Sequence, residues 1–170
     1  FAVDHRGSGS LGFLFEEFGR RPFINEAAEA LAIPPGPWRK DLVAGKVITL
    51  ADGRVIHPDQ VLGPEVPGTR LAVVGDVGRP EKLVEQVRGV DGLVTEATYL
   101  NEERDMAETF GHSTAEQAAR LAKEAGVGQL ILTHISRRYR DDDVLEEARA
   151  VFPKTWLARD FDTYHIKRAE

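Results

Sequence analysis

The stretch "GQLILTHI", residues 128–135, has the pattern of a buried β-strand that ends in polar side chains. Two similar stretches precede it, "TRLAVVGDV" at 69–77 and "GLVTEATY" at 92–99. Short apolar runs of this kind, bounded by glycine and polar residues, indicate strands in the interior of a sheet. Helical patterns alternate with these strands at 80–89, 102–110 and 113–125. Alternating strands and helices predict a layered α/β fold.

Further elements flank this alternating core. The stretch "LGFLFEEF" at 11–18 alternates apolar and polar residues, as a strand with one buried face does. A helix is predicted at 143–152, and "TWLARDFDTYHI" at 155–166 supplies one or two closing strands. At the start of the third helix, Ser113 and Glu116 have the spacing of a capping box, in which two side chains satisfy free backbone amides.

The region 20–60 has few large apolar residues for its length and predicts a protruding arm rather than part of the core. Its local patterns are a helix at 25–33, a stiff "PPGPW" turn at 34–38 and a hairpin at 46–57. Asn25 is placed as the N-cap of the helix. Asp52 and Gly53 supply the positive φ angles that a two-residue hairpin turn requires.

The composition excludes several classes of protein. With 170 residues, 42% of them hydrophobic and 29% charged, the chain has the make-up of a folded domain with a core. No apolar run approaches the roughly 20 residues that span a bilayer. The lack of cysteine excludes disulfides and thiolate metal sites and fits a cytoplasmic protein. Any metal must therefore be bound by His, Asp and Glu.

Charge is distributed unevenly along the chain. The net charge of −6 argues weakly against nonspecific binding of polyanions. Basic residues nevertheless form two groups: Arg20, Arg21, Arg39, Lys40, Lys46 and Arg54 in the predicted arm, and Arg137, Arg138 and Arg140 after the strand at 128–135. Such runs are ordinary solvated surface when taken alone, but beside an active site they favour an anionic substrate.

Each predicted buried strand ends in a side chain that is capable of chemistry. Asp76, Glu96 and His134 occupy these ends, and His112 stands where a helix begins. Ligands of open α/β sheets gather at the carboxyl ends of strands, so we expect these four side chains to meet at one edge. Each has an ordinary alternative: a helix cap, an ion pair or a hydrogen-bonded strand end. Asp76 together with His5 and His134 partly fits a two-metal site, in which a carboxylate bridges two divalent ions.

A set of motifs in a fixed order carries a family resemblance. They are "VDH" followed by "GSLGF", "IPPGP" followed by "KVITLADGRVI", "VVGD", "TEATY", "GHSTAEQAA" and "LILTHISRRY". In this order the chain resembles the C-terminal part of ribonuclease Z, a tRNA 3′-processing endoribonuclease with the αβ/βα sandwich of the metallo-β-lactamase fold. The motifs span nearly all of the chain, and the last two are the most specific.

The resemblance implies a role for each candidate residue. His5 would bind one zinc ion, Asp76 would bridge two zinc ions, and His134 would bind the second. His112 would contact the scissile phosphate and donate a proton, with Glu96 orienting its ring. A complete active site of this family would hold two zinc ions.

The resemblance also implies a substrate and a partner. Residues 20–62 would form a flexible arm that binds precursor tRNA, inserted in a partial metallo-β-lactamase domain that covers 1–170. The arm residues expected to contact tRNA are Pro35, Gly36, Pro37, Arg39 and Lys40. From their position after the strand at 128–135, we also expect Arg137 and Arg138 to bind backbone phosphate. A cytoplasmic homodimer is implied.

Three departures from the family pattern keep other functions open. Thr95 stands where the family has His, Val77 stands where it commonly has Thr, and its "HxHxDH" metal motif is not in this sequence. We therefore expect the chain to be a fragment that exposes an apolar sheet face, binds zinc weakly and does not cut precursor tRNA alone. The alternatives are another hydrolase or phosphodiesterase of this fold that acts on a small substrate, and a noncatalytic tRNA-binding or assembly module.

Overall fold

The computed structural model describes residues 1–168, which fold into two compact units. The first unit consists of Phe1–Glu16 and the chain from Thr69 onward, and the second of Glu17–Gly68. Eight strands are described in chain order: β1 (Ala2–His5), β2 (Ser8–Glu16), β3 (Ile48–Thr49), β4 (Val55–Ile56), β5 (Arg70–Val74), β6 (Gly92–Glu96), β7 (Gln129–Thr133) and β8 (Thr155–Leu157). The helices are α1 (Asn25–Ala30), α2 (Trp38–Val43), α3 (Arg104–Phe110), α4 (Ala115–Glu124) and α5 (Asp141–Val151). Short 3₁₀ helices cover Pro58–Gln60, Pro80–Leu83 and Asn101–Glu103.

The first unit is built on one mixed sheet with the strand order β1-β2-β5-β6-β7-β8. Strand β2 is antiparallel to both of its neighbours, whereas β5, β6, β7 and β8 are parallel to one another. Two antiparallel steps restore the direction, so β1 runs the same way as β5. The carboxyl ends of β1, β5, β6 and β7 therefore lie at one edge of the sheet.

One face of this sheet is covered by α4 and α5. Side chains of alternate strand positions, including Ala72, Leu93 and Leu132, are buried there in one cluster with both helices. Helix α4 contributes mainly alanine to this cluster: Ala115, Ala118, Ala119 and Ala122. Small side chains allow the helix to lie close to the strands, and the sequence predicted this helix from the same alanine-rich pattern.

The opposite face of the sheet is partly open. The strand register aligns Phe13, Val73, Val94, Ile131 and Trp156 in one row across it. Phe13 is 53% exposed and Trp156 is 39% exposed, so the apolar face that the sequence predicted is present. The segment after β8 covers part of this face, because the side chain of Ile166 lies against Gly92.

The second unit has a small core of its own. Buried side chains from α1, α2 and the β3–β4 hairpin form it, together with residues that follow the hairpin: Ala28, Ile33, Leu42, Leu50, Ile56, Val61 and Leu62. The hairpin pairs Ile48 with Ile56, as predicted, and Gly53 has a φ of 87°. Asp52 is not among the residues with positive φ, so only one of the two predicted turn angles is present.

Several predicted boundaries were wrong. Asn25 is the first residue of α1 rather than its cap, because Ile24 holds the extended N-cap conformation. The helix predicted at 80–89 is a 3₁₀ helix of four residues, and the strand predicted at 155–166 ends at Leu157. The capping box of α4 uses Thr114 and Gln117, one residue later than predicted.

The shift of this capping box has a structural reason. The hydroxyl of Ser113 is buried and donates to the carbonyl of Glu96 at 3.1 Å, so it is not available to cap α4. Within residues 1–168, none of the helices has the length and apolar content that a membrane crossing requires.

Candidate active site at the carboxyl edge of the sheet

Five candidate side chains meet at the edge where the parallel-running strands end. His5 ends β1, Glu96 ends β6, His134 follows β7, and Asp76 follows β5 by two residues. His112 comes from the loop between α3 and α4. The ring of His112 lies between the other two imidazoles, with centroid distances of 5.0 Å to His5 and 5.3 Å to His134. Convergence of strand ends therefore brings four of these side chains together, and the loop before α4 adds His112.

Glu96 is buried and hydrogen-bonded on both of its carboxylate oxygens. Its side chain is 1% exposed. Oε1 accepts from the backbone N–H of Val77 at 2.8 Å and lies 2.9 Å from Nδ1 of His112. Oε2 accepts from the backbone N–H of Thr98 at 3.1 Å and from its hydroxyl at 2.6 Å. These bonds replace the water that a buried carboxylate would lose.

The carboxylate of Glu96 determines how the ring of His112 is presented. Because a carboxylate accepts hydrogen bonds, Nδ1 of His112 is the protonated nitrogen of the contact. Nε2 of the same ring then points away from Glu96 and is the atom available for chemistry. The backbone supports this placement, since the N–H of His112 bonds to Ala107 at 2.9 Å.

Gly111 shapes the loop that carries His112. It has a φ of 74°, which ends α3 and is readily adopted only by glycine. A Cβ atom at this position would lie 2.5 Å from Cγ of Arg6. Its carbonyl oxygen is 2.7 Å from Nδ1 of His5, so that nitrogen also carries a proton, and Nε2 of His5 faces Asp76 at 3.9 Å.

Asp76 lies between two imidazoles and is much more exposed than Glu96. Its Oδ2 faces His5, and its Oδ1 is 3.2 Å from Nδ1 of His134. The side chain of Asp76 is 41% exposed and that of His134 is 52% exposed. Asp76 thus presents one oxygen toward each of two imidazoles, and an accessible carboxylate in this position can turn to bridge two divalent ions.

Two groups of three side chains have donor atoms close enough to share a metal ion. They are His5 with Asp76 and His112, and Glu96 with His112 and His134, each within 4.8 Å. The second group fits poorly, because the oxygens of Glu96 are already hydrogen-bonded to protein donors. The first group offers one carboxylate and imidazoles whose tautomers are fixed by protein acceptors, which is the usual environment of metal-binding histidine.

The two arginines after β7 have different surroundings. Nη1 of Arg138 donates to Glu103 at 2.8 Å, and its guanidinium lies 5.7 Å from the ring centre of Tyr99. The hydroxyl of Tyr139 donates to the other oxygen of Glu103. Arg137 is exposed and has no ion pair within the described part of the chain. The positive charge of Arg138 is thus already paired, whereas that of Arg137 faces solvent.

The predicted tRNA-binding residues belong to the second unit. Pro35 and Lys40 are exposed, and Pro37 is the N-cap of α2. Gly36 packs against the ring of Trp38, where a Cβ atom would come within 2.1 Å of the indole. The guanidinium of Arg39 lies 4.7 Å from the ring centre of Phe23.

Thr98 is a site residue that the sequence did not single out. Its hydroxyl contacts Glu96, and it also lies 3.0 Å from Nδ1 of His134. A hydroxyl two residues after a strand-end carboxylate is a signal for such a contact, because that spacing favours a local hydrogen bond. The signal is weak, since threonine is also a common strand residue.

Comparison with known proteins assigns the family. The family model described as a beta-lactamase superfamily domain matches residues 25–135. The chain belongs to the beta-lactamase superfamily. It is 48% identical over 162 residues to Ribonuclease Z of Bradyrhizobium sp. (strain ORS 278), which covers 95% of this chain and 54% of that protein. It is 43% identical over 159 residues to Ribonuclease BN of Escherichia coli (strain K12), covering 91% of this chain and 52% of that protein.

The crystal structure of human tRNase Z, short form, is also similar, at 28% identity and a TM-score of 0.45, with 60% of this chain and 39% of that chain covered. The predicted superfamily fold and the predicted resemblance to ribonuclease Z are confirmed. The chain spans about half the length of the curated relatives it matches.

Proposed function

We propose that this chain belongs to a zinc-dependent endoribonuclease that removes the 3′ trailer of precursor tRNA by phosphodiester hydrolysis. The observation that carries the proposal is the pairing of Glu96 with His112 beside Asp76, His5 and His134, in a chain 48% identical to Ribonuclease Z. These residues supply a proton donor and metal ligands at one edge of the sheet.

His5, Asp76 and His134 would hold zinc at this edge. When bound, such a metal supplies Lewis-acid chemistry: it makes water a better nucleophile and stabilises charge on the phosphoryl oxygens. Asp76 would orient toward both metal positions through its two oxygens. His112 would protonate the leaving 3′ oxygen, and because Nδ1 donates to Glu96, the proton would leave from Nε2.

The geometry of the ligands leaves room for a second role for His112. His112 belongs to the group formed with His5 and Asp76, and Nε2 is the nitrogen that the bond to Glu96 leaves free, so it can also act as a metal ligand. The bond from its Nδ1 to a buried carboxylate is common to metal-binding and proton-donating histidines. We assign proton donation because the "GHST" motif resembles that of ribonuclease Z.

The substrate-binding surfaces of this proposal lie in both units. Arg137 and Arg138 would contact backbone phosphate near the cleaved bond, and the second unit would bind the body of the tRNA. Its contributing residues are Pro35, Gly36, Pro37, Arg39 and Lys40. We further propose a homodimer that works in the cytoplasm, where precursor tRNA of a bacterial relative is made.

The test is cleavage of a 3′-extended precursor tRNA by the complete protein, with the product ends mapped. We expect a single cut after the tRNA 3′ end, loss of cutting with a zinc chelator, and its return on adding zinc. A protein that cleaves a small chromogenic phosphodiester but leaves precursor tRNA intact would instead be a small-substrate phosphodiesterase. Binding of tRNA without any cleavage would indicate a noncatalytic module.

A further inference from the structure

The hydroxyl of Thr98 lies at the centre of the candidate site, close to the Glu96–His112 pair and to His134. It is 2.6 Å from Oε2 of Glu96, 3.0 Å from Nδ1 of His134 and 3.4 Å from Nδ1 of His112. Thr98 thus connects the carboxylate that orients His112 with the histidine that follows β7.

The direction of these hydrogen bonds follows from the chemistry of a hydroxyl. Thr98 has one proton to donate and two lone pairs to accept with. The proton goes to Glu96, because that contact is the shortest and its acceptor is charged. Toward Nδ1 of His134, 3.0 Å away, the hydroxyl is therefore an acceptor. This places a proton on Nδ1 of His134 and leaves the lone pair on Nε2.

Asp76 is the other neighbour of this nitrogen, and it is also an acceptor, at 3.2 Å. A carboxylate that binds metal ions has to turn its oxygens toward them. Thr98 is not needed as a metal ligand, so it is the partner that can hold Nδ1 of His134 while Asp76 serves the metal. The contact of Nδ1 with Thr98 can therefore persist when a metal ion binds, whereas the contact with Asp76 cannot.

The backbone of His134 adds a second reason for a holding contact. Its φ of 56° is in the left-handed region, which is uncommon for a residue with a side chain. The carbonyl of Thr98 accepts from the backbone N–H of Ser136 at 3.2 Å, which ties the chain just after His134 to residue 98. The conformation that aims the imidazole into the site is thus supported from residue 98.

We infer that Thr98 is a positioning residue that fixes the tautomer and orientation of His134, so that Nε2 is presented to a metal ion. Because Thr98 also donates to Glu96, one hydrogen-bond chain orients the rings of both His112 and His134. The inference rests on the proposed function only in naming the metal, because the tautomer of His134 is a property of the protein itself.

The test compares three substitutions in the complete protein. Thr98→Val removes the hydroxyl and keeps the shape, Thr98→Ser keeps the hydroxyl, and Thr95→Val is the matched control. Thr95 is buried in β6, three residues before Thr98, and its hydroxyl has no hydrogen-bond partner within the described residues. The control therefore removes a threonine hydroxyl that makes no hydrogen bond to the described part of the chain.

Zinc affinity, measured by competition with a chelator, is the first readout. We expect Thr98→Val to lose about 10- to 100-fold in affinity, the usual range for a lost partner of a metal-binding histidine. Thr98→Ser and Thr95→Val should remain within about threefold of the parent protein. Cleavage should show a lower kcat with an unchanged KM for Thr98→Val.

Histidine ring NMR of the metal-free protein is the second readout. The signals of His134 should show the Nδ1-protonated form in the parent and in Thr98→Ser, with a new population of the other tautomer in Thr98→Val. His5, held by the carbonyl of Gly111, should not change. Unchanged zinc affinity and spectra in Thr98→Val would overturn the inference, and so would an equal loss in Thr98→Ser. Both readouts are independent of tRNA cleavage, whose absence would instead overturn the proposed function.

Discussion

The candidate site has an inner part, formed by Glu96, His112 and Thr98, and an outer part, formed by Asp76 and His134. In the inner part both oxygens of a buried carboxylate are hydrogen-bonded to protein donors. In the outer part the carboxylate and the imidazole are about half exposed and contact each other. The difference indicates that folding alone fixes the inner part, whereas the outer part is open to a ligand. Substitutions should accordingly cost stability in the first and activity without stability in the second.

The largest effect is expected in the outer part. Asp76→Asn should lower kcat/KM for precursor tRNA by about a thousandfold, equivalent to about 4 kcal/mol of transition-state stabilisation, because a neutral amide is a poor bridge between metal ions. The free energy of unfolding of the metal-free protein should change by less than about 0.5 kcal/mol. Cleavage rates and urea unfolding measure the two quantities.

Asp4→Asn is the matched control for this prediction. Asp4 is a similarly exposed carboxylate on β1, and it pairs with Lys82 at 3.2 Å. Its loss should leave cleavage unchanged. A loss of several kcal/mol in unfolding free energy for Asp76→Asn would show that the outer part is also fixed by folding.

The next effect concerns the inner part. Glu96→Gln should reduce kcat by about a hundredfold or more, since His112 loses its orienting acceptor. It should also destabilise the protein by about 1–3 kcal/mol, because the amide –NH₂ group faces donors that the carboxylate accepted from. Urea unfolding of the metal-free protein separates the two consequences. Equal stability of Glu96→Gln and Asp76→Asn would remove the distinction between the two parts.

The two arginines after β7, Arg137 and Arg138, extend the comparison to the rim of the site. Arg137→Gln should raise KM for precursor tRNA about tenfold and reduce the slope of affinity against salt by about one ion, since its charge is free to bind phosphate. Arg138→Gln should change KM less, because its charge is already paired with Glu103. Binding measured at several salt concentrations distinguishes the two. A larger effect of Arg138→Gln on the salt slope would reverse the assignment.

The smallest effect concerns Glu147, a carboxylate outside the site. Burial raises the pKa of Glu147 above its ordinary value of 4.5, against the lowering effect of hydrogen bonds from the amides of Asn101 and Glu116. The folded protein therefore takes up a proton at a pH where the unfolded chain has lost it. This contribution to stability is present at low pH and is lost as pH rises from about 4.5 through the folded pKa.

Glu147→Gln should remove this dependence. Relative to the variant, the parent protein should lose stability as pH rises through that window, in urea unfolding followed at several pH values. A difference between the two proteins that is independent of pH would contradict the prediction.

The sequence predicted that Asp76, Glu96, His112 and His134 meet at one edge of the sheet, but it did not place His5 or Thr98. Asp76 and His134 follow apolar runs that are recognisable as strands, and parallel strands bring their ends to one edge. His5 carried no signal of its own, because its place depends on two antiparallel pairings, of β1 with β2 and of β2 with β5. Thr98 was missed because a neutral hydroxyl gives no pattern of charge.

Long-range partners explain the remaining differences. Arg138 was grouped with Arg137, because the carboxylate that pairs with it, Glu103, lies 35 residues away in the sequence. The capping box of α4 was placed one residue early because nothing local shows that Ser113 bonds to Glu96. In both cases a partner that is distant in the sequence determines the role of the residue, and local sequence patterns cannot show that partner.

The most direct test of the account is the zinc content of the purified complete protein and of its Asp76→Asn variant. If this edge of the sheet is a bridged two-metal site, the parent should hold about two zinc ions per chain and the variant clearly fewer. Well under one zinc ion per chain in the parent protein, or an unchanged content in the variant, would contradict it.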